Sequence, residues 1–329
     1  MSIGGGSSTL SDVGEDWVLA YIQRRLGAPH SPLLGRGDDA TAFRYSGVLV
    51  LSTDMLVEDT DVPPGMSWEQ VGRKAVVAVV SDLAAKGAEP LYILTSLGLK
   101  PSMLIQEFEE LWRGLETGCR EYGISIVGGD TNQCDSVVIS VAGVGRADNG
   151  LIPRSGARPG DILATTGMFG ETAAGLHALL NNIRENYGLI ESVLNPRARL
   201  KEGRELARSG VVSSCIDSSD GLARSLIQLA NASRVGFEID NIPVSEAVER
   251  YAADNRLDPL SLALYGGEEY ELVFTVKQDG IDMLSRRLAA MGSRLIILGR
   301  VIEDAGVIRA YYRGKWHDVI EGGWEHFKR

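Results

Sequence analysis

Aspartates recur in this chain where apolar runs give way to small residues. Three such runs are VLVLSTD (48–54), ISIVGGD (124–130) and VVSSCID (211–217). Asp82 follows the apolar stretch 75–80, Asp38 and Asp39 follow Gly35-Arg36-Gly37, and Asp220 stands three residues after Asp217. Any one of them is also an ordinary strand-end turn or helix N-cap. The set is harder to explain that way. Asp82 on an apolar helix is costly to bury unpaired. Two carboxylates ~4 Å apart repel by about 4 kcal/mol at an effective dielectric near 20. Such a cluster persists only when cations neutralise it. Carboxylates, the hydroxyls of Ser52 and Thr53 and water are hard oxygen ligands, which suit Mg²⁺. Mg²⁺ takes few carboxylates and favours phosphate oxygens, so the implied substrate carries phosphates.

Other chemistries are poorly supported. No G-x-x-x-x-G-K-[ST] occurs, which excludes a P-loop. Gly35-x-Gly37-x-x-Ala40 has no strand before it and no helix after it, so it is a weak dinucleotide fingerprint. No kinase-type catalytic loop and no G-x-S-x-G elbow is present. None of the four histidines (His30, His177, His317, His326) stands beside the acidic motifs, and His177 reads as a packed or surface helix residue. The turn Gly167–Gly170 lies between a strand and a helix; its N–H groups could hold an anion or simply form a βα turn. The basic stretch 197–208 reads as a solvated face.

The elements that must position these residues follow from periodicity. Helices are expected over 11–26, 67–86, 102–122 and 196–209, from 171 and 221 onward, and near 281–291. The segment 67–86 carries a capping-box pattern at Ser67 and Gln70, although its β-branched centre leaves a strand open. Strands are expected over 48–52, 91–99, 124–127, 137–145, 162–166, up to 216, and over 271–276, 295–301 and 307–312. Between 146 and 161 the chain turns rich in Gly and Pro, a domain boundary. This gives an α/β (α+β) fold of two domains, 1–152 and 153–329. The 329 residues suit two domains. With 33 basic and 44 acidic residues the net charge is −11, unfavourable for nucleic acid or anionic membranes. No apolar run reaches bilayer length. The Gly/Ser-rich N-terminus lacks the features of a signal peptide. Three widely spaced cysteines (Cys119, Cys134, Cys215) without a CxxC pair suggest a reducing cytoplasm.

Taken together and in order, the acidic motifs resemble the thiamine-monophosphate kinase family, within the ATP-dependent superfamily of aminoimidazole ribonucleotide synthetase and selenophosphate synthetase. The matching stretches are GDDA (37–40), STDMLVE (52–58), GRKAVVAVVSDLAAKGAEP (72–90), GGDTN (128–132), RSGARPGD (154–161), TTGMFGETAAGL (165–176), IDSSDGLA (216–223) and YGGEEYEL (265–272). The resemblance implies transfer of the ATP γ-phosphoryl to thiamine monophosphate, giving thiamine diphosphate, with several Mg²⁺ ions held between two domains. It implies Asp39, Thr53, Asp54, Asp82, Asp130 and Asp217 as metal ligands, assisted by Ser52 and Asp220. Gly129, Asp130, Arg154 and Ser219 would contact ATP, and Asp61, Glu268 and Trp324 would contact thiamine phosphate. It implies a homodimer in which the mixed sheet of the N-terminal domain closes a β-barrel with its copy, beside a C-terminal α+β domain. An anionic phosphate acceptor needs no general base, which agrees with the absence of a placed His or Lys.

The chain departs from the family pattern in two places. Position 61 is Asp where some relatives carry His, and Glu269 stands where Asp is more usual. Selenophosphate synthetase is disfavoured because no Cys precedes Cys119, and the hydrogenase-maturation relative because the chain ends Phe327-Lys328-Arg329. The alternatives are a synthetase acting on a ribosyl amide such as formylglycinamidine ribonucleotide, and a non-catalytic Mg-nucleotide-binding protein.

Overall fold

The computed structural model describes residues 8–28, 33–34, 40–183, 185, 187–320 and 322. The chain divides into two compact units. The first holds the described residues up to Leu83 together with Glu89–Arg146; the second holds Ala84–Ala88 and the residues from Ala147 onward.

The first unit contains α1 (Leu10–Val13), α2 (Glu15–Gln23), β1 (Leu49–Val57), α3 (Glu58–Asp61), α4 (Trp68–Ala85), β2 (Glu89–Leu99), α5 (Ile105–Tyr122), β3 (Ser125–Gln133) and β4 (Val138–Arg146). Its sheet has the order β1-β4-β2-β3, antiparallel except for the β2/β3 pair. The helix expected over 11–26 is two helices. Gly14, at φ 76°, breaks it after the first turn.

Helix α4 resolves the helix-or-strand ambiguity. Ser67 N donates to Gln70 Oε1 (2.9 Å) and Gln70 N to Ser67 Oγ (3.3 Å), the capping box read from the sequence. Its β-branched residues Val76, Val77, Val79 and Val80 are fully buried. A Cβ on Gly72 would lie 2.1 Å from Leu111 O of α5, and one on Gly143 would lie 2.7 Å from Val79. The helix thus packs against α5 and against the sheet. Tertiary burial outweighs the weak helix propensity of valine. β1 and β3 run past their expected ends, carrying the STD and GGD motifs inside strands rather than in turns.

The second unit contains β5 (Ile162–Thr165), α6 (Glu171–Leu180), α7 (Tyr187–Leu194), α8 (Leu200–Ser209), β6 (Val212–Asp217), α9 (Leu222–Ser233), β7 (Gly236–Ile239), α10 (Glu246–Asn255), α11 (Pro259–Tyr265), β8 (Leu272–Val276), α12 (Ile281–Ala290), β9 (Ile296–Ile302), β10 (Ile308–Tyr312) and β11 (Lys315–Asp318). Its sheet has the order β11-β10-β7-β9-β5-β8-β6, with only β10/β7 parallel. The central strands bury both faces. Leu163, Ile216 and Val273 join one apolar cluster with α9 and α11, while Ala164, Cys215 and Phe274 join another with α8 and α12. Two-sided burial explains their unbroken apolar runs. α7, α10, α11, β7 and β11 were not expected from periodicity.

Candidate active site

In the first unit the acidic motifs fall on two faces of one sheet. Ser52 pairs with Gly143, whose open Cβ position points at Val79 of α4, so Ser52 faces that helix. Asp54, two residues on, faces the same way. Ser52 Oγ donates a short hydrogen bond to Asp82 Oδ2, joining the STD and SDLAAKGA motifs. Asp82 is half-buried in an otherwise closed stretch of α4, with the Ser52 hydroxyl as its donor. The apolar-helix aspartate is thus paired rather than orphaned.

Thr53 lies on the other face, in register with Ala142 and, through it, with exposed Leu94. Asp130 shares that outer face through its pairing with Ser96, and it is exposed. Gly129 precedes it, where a Cβ would stand 1.9 Å from Thr95 O, closer than any side chain permits. Asp61 ends α3. Its Oδ2 accepts from Val57 N (2.7 Å), and its carbonyl accepts from the buried Lys74 Nζ (2.9 Å). Among the described residues no group of three or more His, Cys, Asp or Glu side chains forms a ready metal cage. Asp39 lies outside the described residues, as does Trp324.

In the second unit Asp217 ends β6 and is 4% exposed. The chain after it is zipped to the 266–271 segment. Ser218 N donates to Glu271 O (2.8 Å), Tyr270 N to Ser218 O (3.0 Å) and Glu268 N to Ser219 O (2.6 Å). Asp220 does not cap α9; its carboxylate pairs with Arg224 one turn on, at 3.4 Å. Arg154 donates from Nη1 to Gln228 Oε1 of α9 (2.8 Å). Glu268 and Tyr270 both adopt left-handed backbone, at φ 64° and 51°. Two non-glycine residues in that region, two positions apart, mark a constrained segment.

Behind this segment lies a cleft of about 520 Å³, floored by Thr166, Glu269 and Glu271 and flanked by Arg197, Arg199 and Arg294. Arg199 was expected on a solvated face. Instead its Nε donates to Glu271 Oε2 (2.8 Å) and its Nη2 to Oε1, while Thr166 Oγ1 donates to Oε2 (2.6 Å). A Cβ on Gly167 would stand 2.2 Å from the Glu271 carboxylate, so any side chain there would displace that carboxylate from Arg199 and Thr166. The 167–170 turn does not offer all its N–H groups to an external anion. Gly170 N donates to Glu269 Oε1 (2.6 Å) and Phe169 N to Pro243 O (2.9 Å). Burial pushes the Glu269 carboxyl up to about 8, against hydrogen bonds from Thr172 and Gly170, with Glu271 and Glu171 adding repulsion. His177 is a packed helix residue, its Nδ1 2.7 Å from the Tyr251 hydroxyl. Sequence reasoning missed Arg199, Thr166 and Glu271. The only signal for Thr166 and Glu271 was their place in the TTG and EEYEL motifs; for Arg199 it was the basic stretch 197–208.

The whole chain has relatives. Residues 37–147 match the family described as AIR synthase related protein, N-terminal domain, and 158–311 match its C-terminal domain. The thiamine-monophosphate kinase of Nitrosopumilus maritimus is 33% identical over 323 residues, 97% of this chain and 100% of that protein. That of Pyrococcus horikoshii is 38% identical over 299 residues, 89% of this chain and 91% of the other. The solved structure of AaThiL complexed with AMPPCP and TMP superposes with a TM-score of 0.76 at 28% identity, covering 98% of this chain and 100% of that one. With both AIR synthase related domains in order and relatives aligned nearly end to end, this chain belongs to the thiamine-monophosphate kinase family.

Proposed function

We propose that this protein phosphorylates thiamine monophosphate to thiamine diphosphate, with ATP as donor and several Mg²⁺ ions assisting. The terminal P–O bond of ATP breaks, ADP leaves, and an in-line bond forms from the phosphate oxygen of the acceptor to the transferred phosphorus. The acceptor is already anionic at neutral pH, so no residue has to remove a proton. Catalysis then rests on positioning and charge neutralisation.

Asp39, Ser52, Thr53, Asp54, Asp82, Asp130, Asp217 and Asp220 are the residues that would hold Mg²⁺. The donor set fits, since every member offers hard oxygen. Asp82 has a hydroxyl rather than a cation as its donor, and Asp130 has no partner among the described residues. Bound Mg²⁺ would offset phosphate charge in the transition state. Gly129, Asp130, Arg154 and Ser219 are assigned to ATP. Asp61, Glu268 and Trp324 are assigned to thiamine monophosphate. The observation that carries the reading is the Ser52–Asp82 hydrogen bond, which unites two acidic motifs on one sheet face in a chain with kinase relatives over 97% of its length.

A homodimer belongs to the same proposal. Leu49, Leu51, Met55 and Leu94 are exposed on the outer face of the first unit's sheet, with Leu51 at 72%. A second copy of that face would cover them and close a barrel. The three free cysteines support a reducing cytoplasm, and among the described residues no helix is long and apolar enough to cross a membrane.

The test is incubation with ATP, MgCl₂ and thiamine monophosphate, with chromatography of the products. Thiamine diphosphate and ADP are expected in equal amounts, and EDTA abolishes both. Inorganic phosphate with no diphosphate points instead to the synthetase reaction.

A further inference from the structure

The segment 266–271 crosses the second unit tied on both sides. On one side its backbone is held by Ser218 and Ser219, through the amides of Glu268 and Tyr270. On the other, Glu269 Oε1 accepts from Gly170 N (2.6 Å) and Thr172 N (3.4 Å) at the start of α6. Thr172 Oγ1 donates to Gly267 O (2.7 Å), a second tie between the same two pieces of chain. The residue between these anchors, Glu268, is left-handed, as is Tyr270. Left-handed backbone at a non-glycine residue is unfavourable and persists only where the surroundings over-determine it.

We propose that Glu269 is a positioning residue for the phosphoryl acceptor: its side chain binds the first turn of α6 and thereby holds Glu268 in the left-handed conformation that presents its carboxylate to substrate. The assignment rests on the functional reading above, in which Glu268 contacts thiamine monophosphate. Glu269 itself touches no reacting group. It acts through the backbone of its neighbour, and its chemistry is that of a hydrogen-bond acceptor rather than a charge. A carboxyl pushed up to about 8 by burial is mostly protonated at neutral pH and still accepts through Oε1. A glutamine amide of the same length offers the same acceptor.

Two measurements on the full chain test this. The first needs no substrate: hydrogen exchange of the amides in residues 266–271. Glu269→Ala should raise exchange there about tenfold, and Glu269→Gln should leave it near that of the unsubstituted chain. The second is steady-state kinetics. Glu269→Ala should raise KM for thiamine monophosphate by about tenfold or more, with KM for ATP and kcat changed by less than about threefold, while Glu269→Gln restores the original KM. Thr172→Val, which removes the tie to Gly267 O and the hydroxyl beside the Glu269 carboxyl, should shift both readouts in the same direction by less. It keeps the test available should Glu269→Ala fail to fold. Unchanged exchange at 266–271 in Glu269→Ala and Thr172→Val overturns the proposal. So does Glu269→Gln behaving like Glu269→Ala, or a loss shared equally between the two substrates. If the unsubstituted chain makes no thiamine diphosphate, the functional reading fails on its own. The exchange experiment still decides whether Glu269 holds the segment.

Discussion

The two sheets manage the same materials in opposite ways. In the second unit the central strands are covered on both faces, and the carboxylates beside them are neutralised internally. Glu271 is held by Arg199 and Thr166, and Glu269 by the start of α6. In the first unit the sheet is covered by α4 on one face. Its other face leaves Leu51, Met55 and Leu94 exposed, and Asp130 stands there without a partner among the described residues. Around its central strands the second unit closes its own core and pairs these two carboxylates. The first leaves apolar residues exposed together on one sheet face, with the Asp130 carboxylate beside them. On the proposed function, that difference marks where external partners would act: cations and phosphate at the aspartates, and a second copy at the sheet face.

The comparison breaks most sharply at the aspartates. Asp82→Asn and Asp130→Asn should each lower kcat by roughly 10²–10³, the scale of a lost electrostatic stabiliser, while the melting temperature stays near that of the unsubstituted chain. Turnover near the original rate in both would place the chemistry elsewhere. Glu271→Ala should do the reverse. It removes the carboxylate to which Arg199 and Thr166 donate and costs about 3 kcal/mol of stability, the low end for a broken buried pair because Arg199 remains 34% exposed. Urea unfolding measures it, and a loss below about 0.5 kcal/mol would put this pair with ordinary surface salt bridges.

On the open sheet face, Leu51→Lys should halve the mass seen by light scattering without unfolding the chain. A charge on a covered apolar face is unfavourable, whereas on a free face it is harmless. An unchanged mass removes that face from the interface. The smallest effect is a pH dependence in the self-neutralised unit. Glu269 in the folded chain titrates near 8, above its ordinary value of 4.5. The folded chain therefore keeps a proton that the unfolded chain releases. The associated stability is full below about pH 4.5 and is lost as pH rises toward 8. Glu269→Gln lacks this dependence, so its melting temperature should gain on that of the unsubstituted chain by several degrees as pH rises from 5 to 8. A gap constant over that range would show the carboxyl to be solvated.

The mixed α/β class and the kinase family were legible because short local patterns carry them. The Ser67–Gln70 box started α4 where its residues required. Runs such as VLVLSTD and VVSSCID formed the strands β1 and β6. The misreadings share one cause, which is that distant residues decided them. GGD was read as the end of a strand, yet β3 continues through it because Gly129 lets the chain pass close to Thr95 of β2. Arg199 was read as solvated because its partner, Glu271, lies 72 residues away.

By itself the sequence determined which residues can do chemistry: aspartates after apolar runs, with hydroxyls beside them and no placed base. Side-chain type and spacing are local properties, and they survive without a fold. Only the tertiary structure decided which of those side chains meet. It joined Ser52 to Asp82, set Asp130 and Thr53 on the opposite sheet face, and turned Glu269 and Glu271 inward while holding Glu268 left-handed. Strand register fixes which face a residue takes, and burial decides whether a carboxylate stays charged. Both depend on segments far apart in the chain.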